Sequence, residues 1–220
     1  YFINPMDGGV VFKELHEGKV PPLRRCKVLV DADPATSNRD VSQGSCKAVG
    51  VVAASGLTYY VCKVRVDTMS TAHFVGALFD LYDWAVRHGA ENVRVHIENN
   101  SLQAPFYEQV LQPAIFEESH RRGALLPVVP DTRDKKDKYT RIEGTLEPLN
   151  RAGLLIFNED ESGDPDMQRM KAQMRNVSPK QKRMDGPDML EGGVWLLRKE
   201  AAVQQSDGVY FVKRTNKKKI

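Results

Sequence analysis

Carboxylates in this chain gather in short clusters at the ends of predicted elements. They are Asp31-Ala32-Asp33-Pro34-Ala35 with Asp40 close behind, then Ile97-Glu98-Asn99-Asn100, and last Asp185-Gly186-Pro187-Asp188. Like charges brought to one place repel, so such a set needs a cation. An oxygen-only donor set suits a hard divalent ion such as Mg²⁺ or Mn²⁺. A pair of such ions held by carboxylates performs metal-assisted hydrolysis of a phosphodiester.

The basic residues are clustered too. Arg133, Lys135, Lys136, Lys138 and Arg141 crowd one segment, and Lys171, Arg175, Lys180, Lys182 and Arg183 another, just ahead of the last acidic cluster. Lys213, Arg214, Lys217, Lys218 and Lys219 form a basic tail. The net charge is only +3, so the distribution carries the information. Cations grouped around carboxylates fit a polyphosphate such as DNA. Taken singly, each group also fits a solvated helix face.

Other chemistries are excluded. No CxxC pair accompanies Cys26, Cys46 and Cys62, so no zinc site is expected and the three read as buried thiols of a reducing compartment. No GxxxxGK[ST] loop is present, which removes a Walker-type ATPase. No apolar run of about 18 residues points to a membrane span. At 220 residues and 41% hydrophobic, the chain holds one large domain or one domain with appendages.

Positioning the carboxylates falls to a predicted α/β domain. Residues 1–25 have no clear period and read as a lead-in, with Val10-Val11-Phe12 a candidate short strand. Lys27–Ala32 reads as a buried strand. Lys47–Ala54 and Leu57–Val66 flank Ser55-Gly56 as a hairpin. A helix capped by Ser70 or Thr71 runs to His88-Gly89. A strand at Val93–Ile97, a helix over 103–121, a strand at Ala124–Val129 and helices over 136–147, 164–175 and 186–201 follow. Leu154–Phe157 is a short apolar piece. Three hairpin-linked strands before alternating helix and strand predict a mixed sheet, in order 3-2-1-4-5, flanked by helices. Asp33 and Glu98 then share the C-terminal edge of neighbouring parallel strands, where open α/β sheets bind ligands. Asp185 and Asp188, three apart, share a helix face.

This order resembles the ribonuclease H-like fold, and within it the C-terminal nuclease domain of a tailed-phage or prophage large terminase subunit. The resemblance rests on Asp33-Pro34-Ala35 with Asp40, on Ile97-Glu98-Asn99-Asn100, on Lys138-x-x-Arg141-Ile142 followed by Gly153–Phe157, and on Asp185–Gly192, in family order over roughly residues 27–198. It implies a metal-dependent endonuclease that cuts concatemeric double-stranded viral DNA during packaging, with two Mg²⁺ or Mn²⁺ ions. It implies that Asp33, Glu98 and Asp185 are the core ligands and catalytic acids, with Asp40 and Asp188 auxiliary. Asp31, two residues before Asp33 on the same strand face, is an alternative principal ligand. Arg39, Lys135, Lys138, Arg141, Lys182 and Arg183 are the implied DNA contacts. The implied partners are the portal, the small terminase subunit and an ATPase domain of the same polypeptide, in the cytoplasm of a bacterial host and with no membrane. Residues 1–25 become an interdomain linker, 26–205 the nuclease and 206–220 a basic tail. The alternatives are a Holliday-junction resolvase or another ribonuclease H-like nuclease, and a non-catalytic DNA- or portal-docking module.

Overall fold

The structure, a computed structural model, describes residues 11–34, 46–99, 104–133, 137–181 and 183–206. Arg39, Asp40, Lys135, Lys182 and the basic tail, all assigned roles above, lie outside these residues.

Seven strands are described: β1 (Lys13–Leu15), β2 (Lys27–Asp33), β3 (Lys47–Ser55), β4 (Thr58–Asp67), β5 (Arg94–Glu98), β6 (Val128–Asp131) and β7 (Leu155–Asn158). They form one mixed sheet in the order β1-β7-β4-β3-β2-β5-β6. The inner β4-β3-β2-β5-β6 is the arrangement expected from sequence. β2, β3 and β4 are antiparallel, and β5 and β6 continue in parallel from β2. The hairpin between β3 and β4 turns at Gly56, whose φ of 60° lies in the left-handed region that glycine enters freely.

Three details differ from the sequence reading. The piece at Leu154–Phe157 is a full strand, β7, parallel to β4. Residues 13–15 add β1 beyond it, three residues later than expected, and Phe12 is buried in the core. The strand expected at Ala124–Val129 forms instead at Val128–Asp131. Leu125 is exposed, and pairing starts where the Pro127 carbonyl accepts from the Val95 amide. Pro130 is tolerated inside β6 because β6 is an edge strand, where a missing N–H costs no ladder bond.

The helices are α1 (Thr71–Arg87), the single turn α2 (Ala104–Phe106), α3 (Gln112–Arg122), α4 (Lys138–Arg151), α5 (Pro165–Arg175) and α6 (Asp185–Ser206). A wide π-type turn, Tyr107–Leu111, joins α2 to α3. Local chemistry sets the starts. The Ser70 hydroxyl accepts from the His73 amide ahead of α1, and the Asp137 carboxylate accepts from the Thr140 amide ahead of α4.

Two apolar layers sandwich the sheet. Val28, Val30, Val95 and Ile97 meet α1 and α3 on one side. Leu29, Val52, Val61 and Phe157 meet α4, α5 and α6 on the other. The helix α6 crosses the sheet over β2 and β3, and its approach is close. A Cβ on Gly50 of β3 would stand 2.5 Å from the Met189 methyl of α6, the flexible end of a side chain that would have to shift, and a Cβ on Gly193 of α6 would stand 3.1 Å from Val52 of β3.

Candidate metal centre

Strand alternation decides which carboxylates reach the α6 side. Leu29, Asp31 and Asp33 share one face of β2, and Arg94, His96 and Glu98 the corresponding face of β5. Asp33 ends β2 and Glu98 ends β5, so both stand at the C-terminal edge of adjacent parallel strands. The first turn of α6 delivers Asp185 and Asp188 to the same edge.

Asp33, Glu98 and Asp188 each offer a carboxylate oxygen within 4.8 Å of the others, and all three residues are buried. Asp185 sits one step aside and is tied in through Lys138. The Lys138 ammonium lies 3.0 Å from Asp185 Oδ1, 3.2 Å from Asp188 Oδ2 and 3.9 Å from Asp33 Oδ2. Arg141, one turn further along α4, donates from Nη2 to Asp188 Oδ1 at 2.9 Å and from Nη1 to Glu191. Residues 138 and 141 share a helix face, so α4 lays a cationic rim along the acidic edge.

The electrostatics follow from burial. Asp33 is pushed up to about 7, first by loss of water and then by Asp188, Glu98 and Asp185, with Lys138 opposing. Asp185 is raised as well, again by burial first. Burial works against the charge on Lys138, but Asp33, Asp188 and Asp185 together outweigh it and hold the ammonium above its ordinary range. Four acids that resist sharing their negative charge, answered by two side-chain cations, make a site that gains from a further cation.

The other sequence candidates are placed as follows. Asp31 is buried beneath α6, directly under Gly192, and does not enter the group of three. Arg183 is exposed ahead of α6. Asp188, read as auxiliary, stands in the tight group, while Asp185, read as a core ligand, stands beside it. Asp131 was missed, and Arg133 was read only as a member of a basic cluster. Asp131 ends β6 in register with Glu98 and is buried. Arg133 clasps it, with Nε at 3.0 and 2.9 Å from its two oxygens. The signal was available: Val128-Val129-Pro130-Asp131 is another apolar run closed by an acid, hidden by the proline. Glu191 is the buried anchor that fixes Arg141.

No protein-family model matches this chain, and no curated protein matches it. Solved structures do. The human cytomegalovirus terminase nuclease domain, manganese-soaked and inhibitor-bound, superposes with a TM-score of 0.64 at 12% identity, covering 92% of this chain and 98% of that one. The manganese-soaked domain gives 0.60 at 12% identity, covering 86% and 92%. A third structure of the same domain gives 0.59 at 17% identity, covering 82% and 86%. The fold of this chain is that of the terminase nuclease domains, an α/β ribonuclease H-like sheet flanked by helices.

Proposed function

We propose that this domain is a divalent-metal-dependent endonuclease that cleaves double-stranded DNA as part of a large terminase during viral genome packaging. One observation carries the reading. Three buried carboxylates from β2, β5 and α6 bring oxygens within 4.8 Å at the strand edge of a terminase nuclease fold. The residues fit the metal, because every donor is a carboxylate oxygen and the acids outnumber the side-chain cations beside them. Related domains were soaked with manganese, which supports the same choice here.

Asp33, Glu98 and Asp188 would hold the metal, with Asp185 flanking them toward a second ion. When bound, the ions supply a Lewis acid that lowers the pKa of water and neutralises charge on phosphorus oxygens. The chain does the rest. The sheet edge and the first turn of α6 fix the carboxylates before substrate arrives, so no rearrangement is needed at the moment of reaction. Lys138 and Arg141 present donors along one side, where they would hold the phosphates of the scissile strand. Phosphate contacts position DNA without reading it, so sequence preference should be low. An ATPase domain, the small terminase subunit and the portal are the proposed partners.

Linear and plasmid DNA incubated with the purified domain test the reading. Cleavage is expected with Mg²⁺ or Mn²⁺ and poorly with the larger Ca²⁺. Undiminished cutting in excess chelator would overturn it. A preference for four-way junctions over linear duplex would favour a resolvase instead.

A further inference from the structure

Beside the carboxylates, between the β5–β6 edge and the second half of α6, runs a groove of roughly 490 Å³. His96 and Asp131 belong to its sheet side, Trp195 and Lys199 to its helix side, and Arg133 bridges the two. His96 is 5% exposed, and its Nε2 is buried without a hydrogen-bond partner. A buried polar atom left unpaired is costly, so such groups in native proteins are satisfied by protein, water or a ligand. Arg133 holds Asp131 with one edge and lies 4.0 Å over the Trp195 ring, which also carries the Lys199 ammonium at 5.2 Å. Arg94 is paired with Glu200 and Arg133 with Asp131. Among the described residues no carboxylate is paired with Lys199, so the groove is left with a surplus cation. Trp195 is only partly buried here.

We propose that this groove is a phosphate-ester subsite that seats a nucleotide of the DNA strand next to the scissile bond. It rests on the nuclease reading for the direction of the strand, and on the groove alone for its chemistry. Lys199 and the outer edge of Arg133 supply the donors an anion needs, and His96 Nε2 is a further group without a partner. Trp195 supplies a planar apolar face for a base or sugar, as in single-strand binding sites. The spacing agrees. His96 precedes Glu98 by two residues on one strand face, about 6.6 Å at the usual strand rise. DNA advances about 3.4 Å along its axis per nucleotide. A strand leaving the carboxylates along β5 therefore enters the groove within about two nucleotides.

The chain has two tryptophans, and Trp84 lies on α1, which packs against the other face of the sheet, so it serves as an internal control. Metal-free protein would be titrated with a 5′-phosphorylated thymidine dinucleotide, and separately with a 20-base-pair duplex, while the two indole N–H resonances are followed. The proposal expects Trp195 to shift with both and Trp84 with neither. The paired substitution Lys199→Ala with Trp195→Ala, at positions not fully buried, should weaken duplex binding about tenfold. It should also reduce the salt slope by about 0.9, the equivalent of one phosphate. His96→Gln should weaken dinucleotide binding less. An unmoved Trp195 resonance with both ligands, or unchanged affinity and salt slope in the folded double variant, would overturn the subsite. A shift with the dinucleotide alone would mark a free-nucleotide pocket and overturn the DNA assignment. These readouts need no cleavage, so failure of the nuclease reading would show separately, as uncut DNA in Mn²⁺.

Discussion

On the α1 and α3 side of the sheet, β2 and β5 present Val28, Val30, Ala32, Val95 and Ile97, all buried among apolar neighbours. On the α6 side the same two strands present Leu29, Asp31, Asp33, His96 and Glu98. The residues alternate one by one, so the two faces share backbone, length and pairing and differ only in side chains. One face gains stability from area removed from water. The other spends part of that stability to hold carboxylates together, as sites built for ligands do. A change on either face should therefore move stability and activity in different directions.

The largest effects should come from the acidic face. Asp33→Asn, Glu98→Gln and Asp188→Asn should each lower Mn²⁺-dependent cleavage by more than about 100-fold, above the range seen when a group that merely orients a ligand is lost. Circular dichroism should show the fold retained. Asp185→Asn sharpens the contrast within that face. It stands beside the group of three, so its loss should cost about 10–100-fold in cleavage or metal affinity, less than Asp188→Asn by the same assay. An equal or greater effect would return Asp185 to the core of the site.

On the apolar face, Ile97→Ala should cost about 2–5 kcal/mol in denaturant unfolding, since Ile97 is fully buried. Cleavage at saturating metal should change little below the new melting point. The smallest effect concerns pH. The folded chain binds the Asp33 proton more tightly than the unfolded chain, because burial raises this carboxyl from 3.8 to about 7. The metal-free fold therefore loses stability as pH rises from about 4 toward 7 and levels off above. In chelator, Tm should fall across that window in the wild type and fall less in Asp33→Asn. Mn²⁺ added at pH 8 should restore it, and Mn²⁺ binding near pH 6 should release protons.

The inner sheet was legible because its signals are local: the alternation of β2, the glycine turn after β3, and the capped helix α1. So was the meeting of Asp33 with Glu98, which follows once β2 and β5 are neighbours. Less was legible at the margins. β1 and β7 are short strands whose pairing is set by tertiary contact rather than by their few residues. The proline of β6 made that strand read as ending at Val129, which hid Asp131 at its true end. The ranking of Asp185 and Asp188 depends on how α6 is rotated over the sheet. That rotation belongs to the close approach of Gly192 and Gly193 to Asp31 and Val52 of the sheet, which three-residue spacing does not reveal.

The helix that crosses β2 and β3 is also the last element of the described chain, and this has a consequence for synthesis. Asp33 and Glu98 leave the ribosome before Asp188, which follows Glu98 by ninety residues. At about 5–20 residues per second, the nascent sheet spends several seconds or more with two of its three clustered acids and no third. During that interval the growing polypeptide lacks the complete set that would hold the metal. A chain truncated before α6 would lack Asp188 however well its strands had paired, so under the proposed function the order of the elements keeps the site incomplete until α6 has docked.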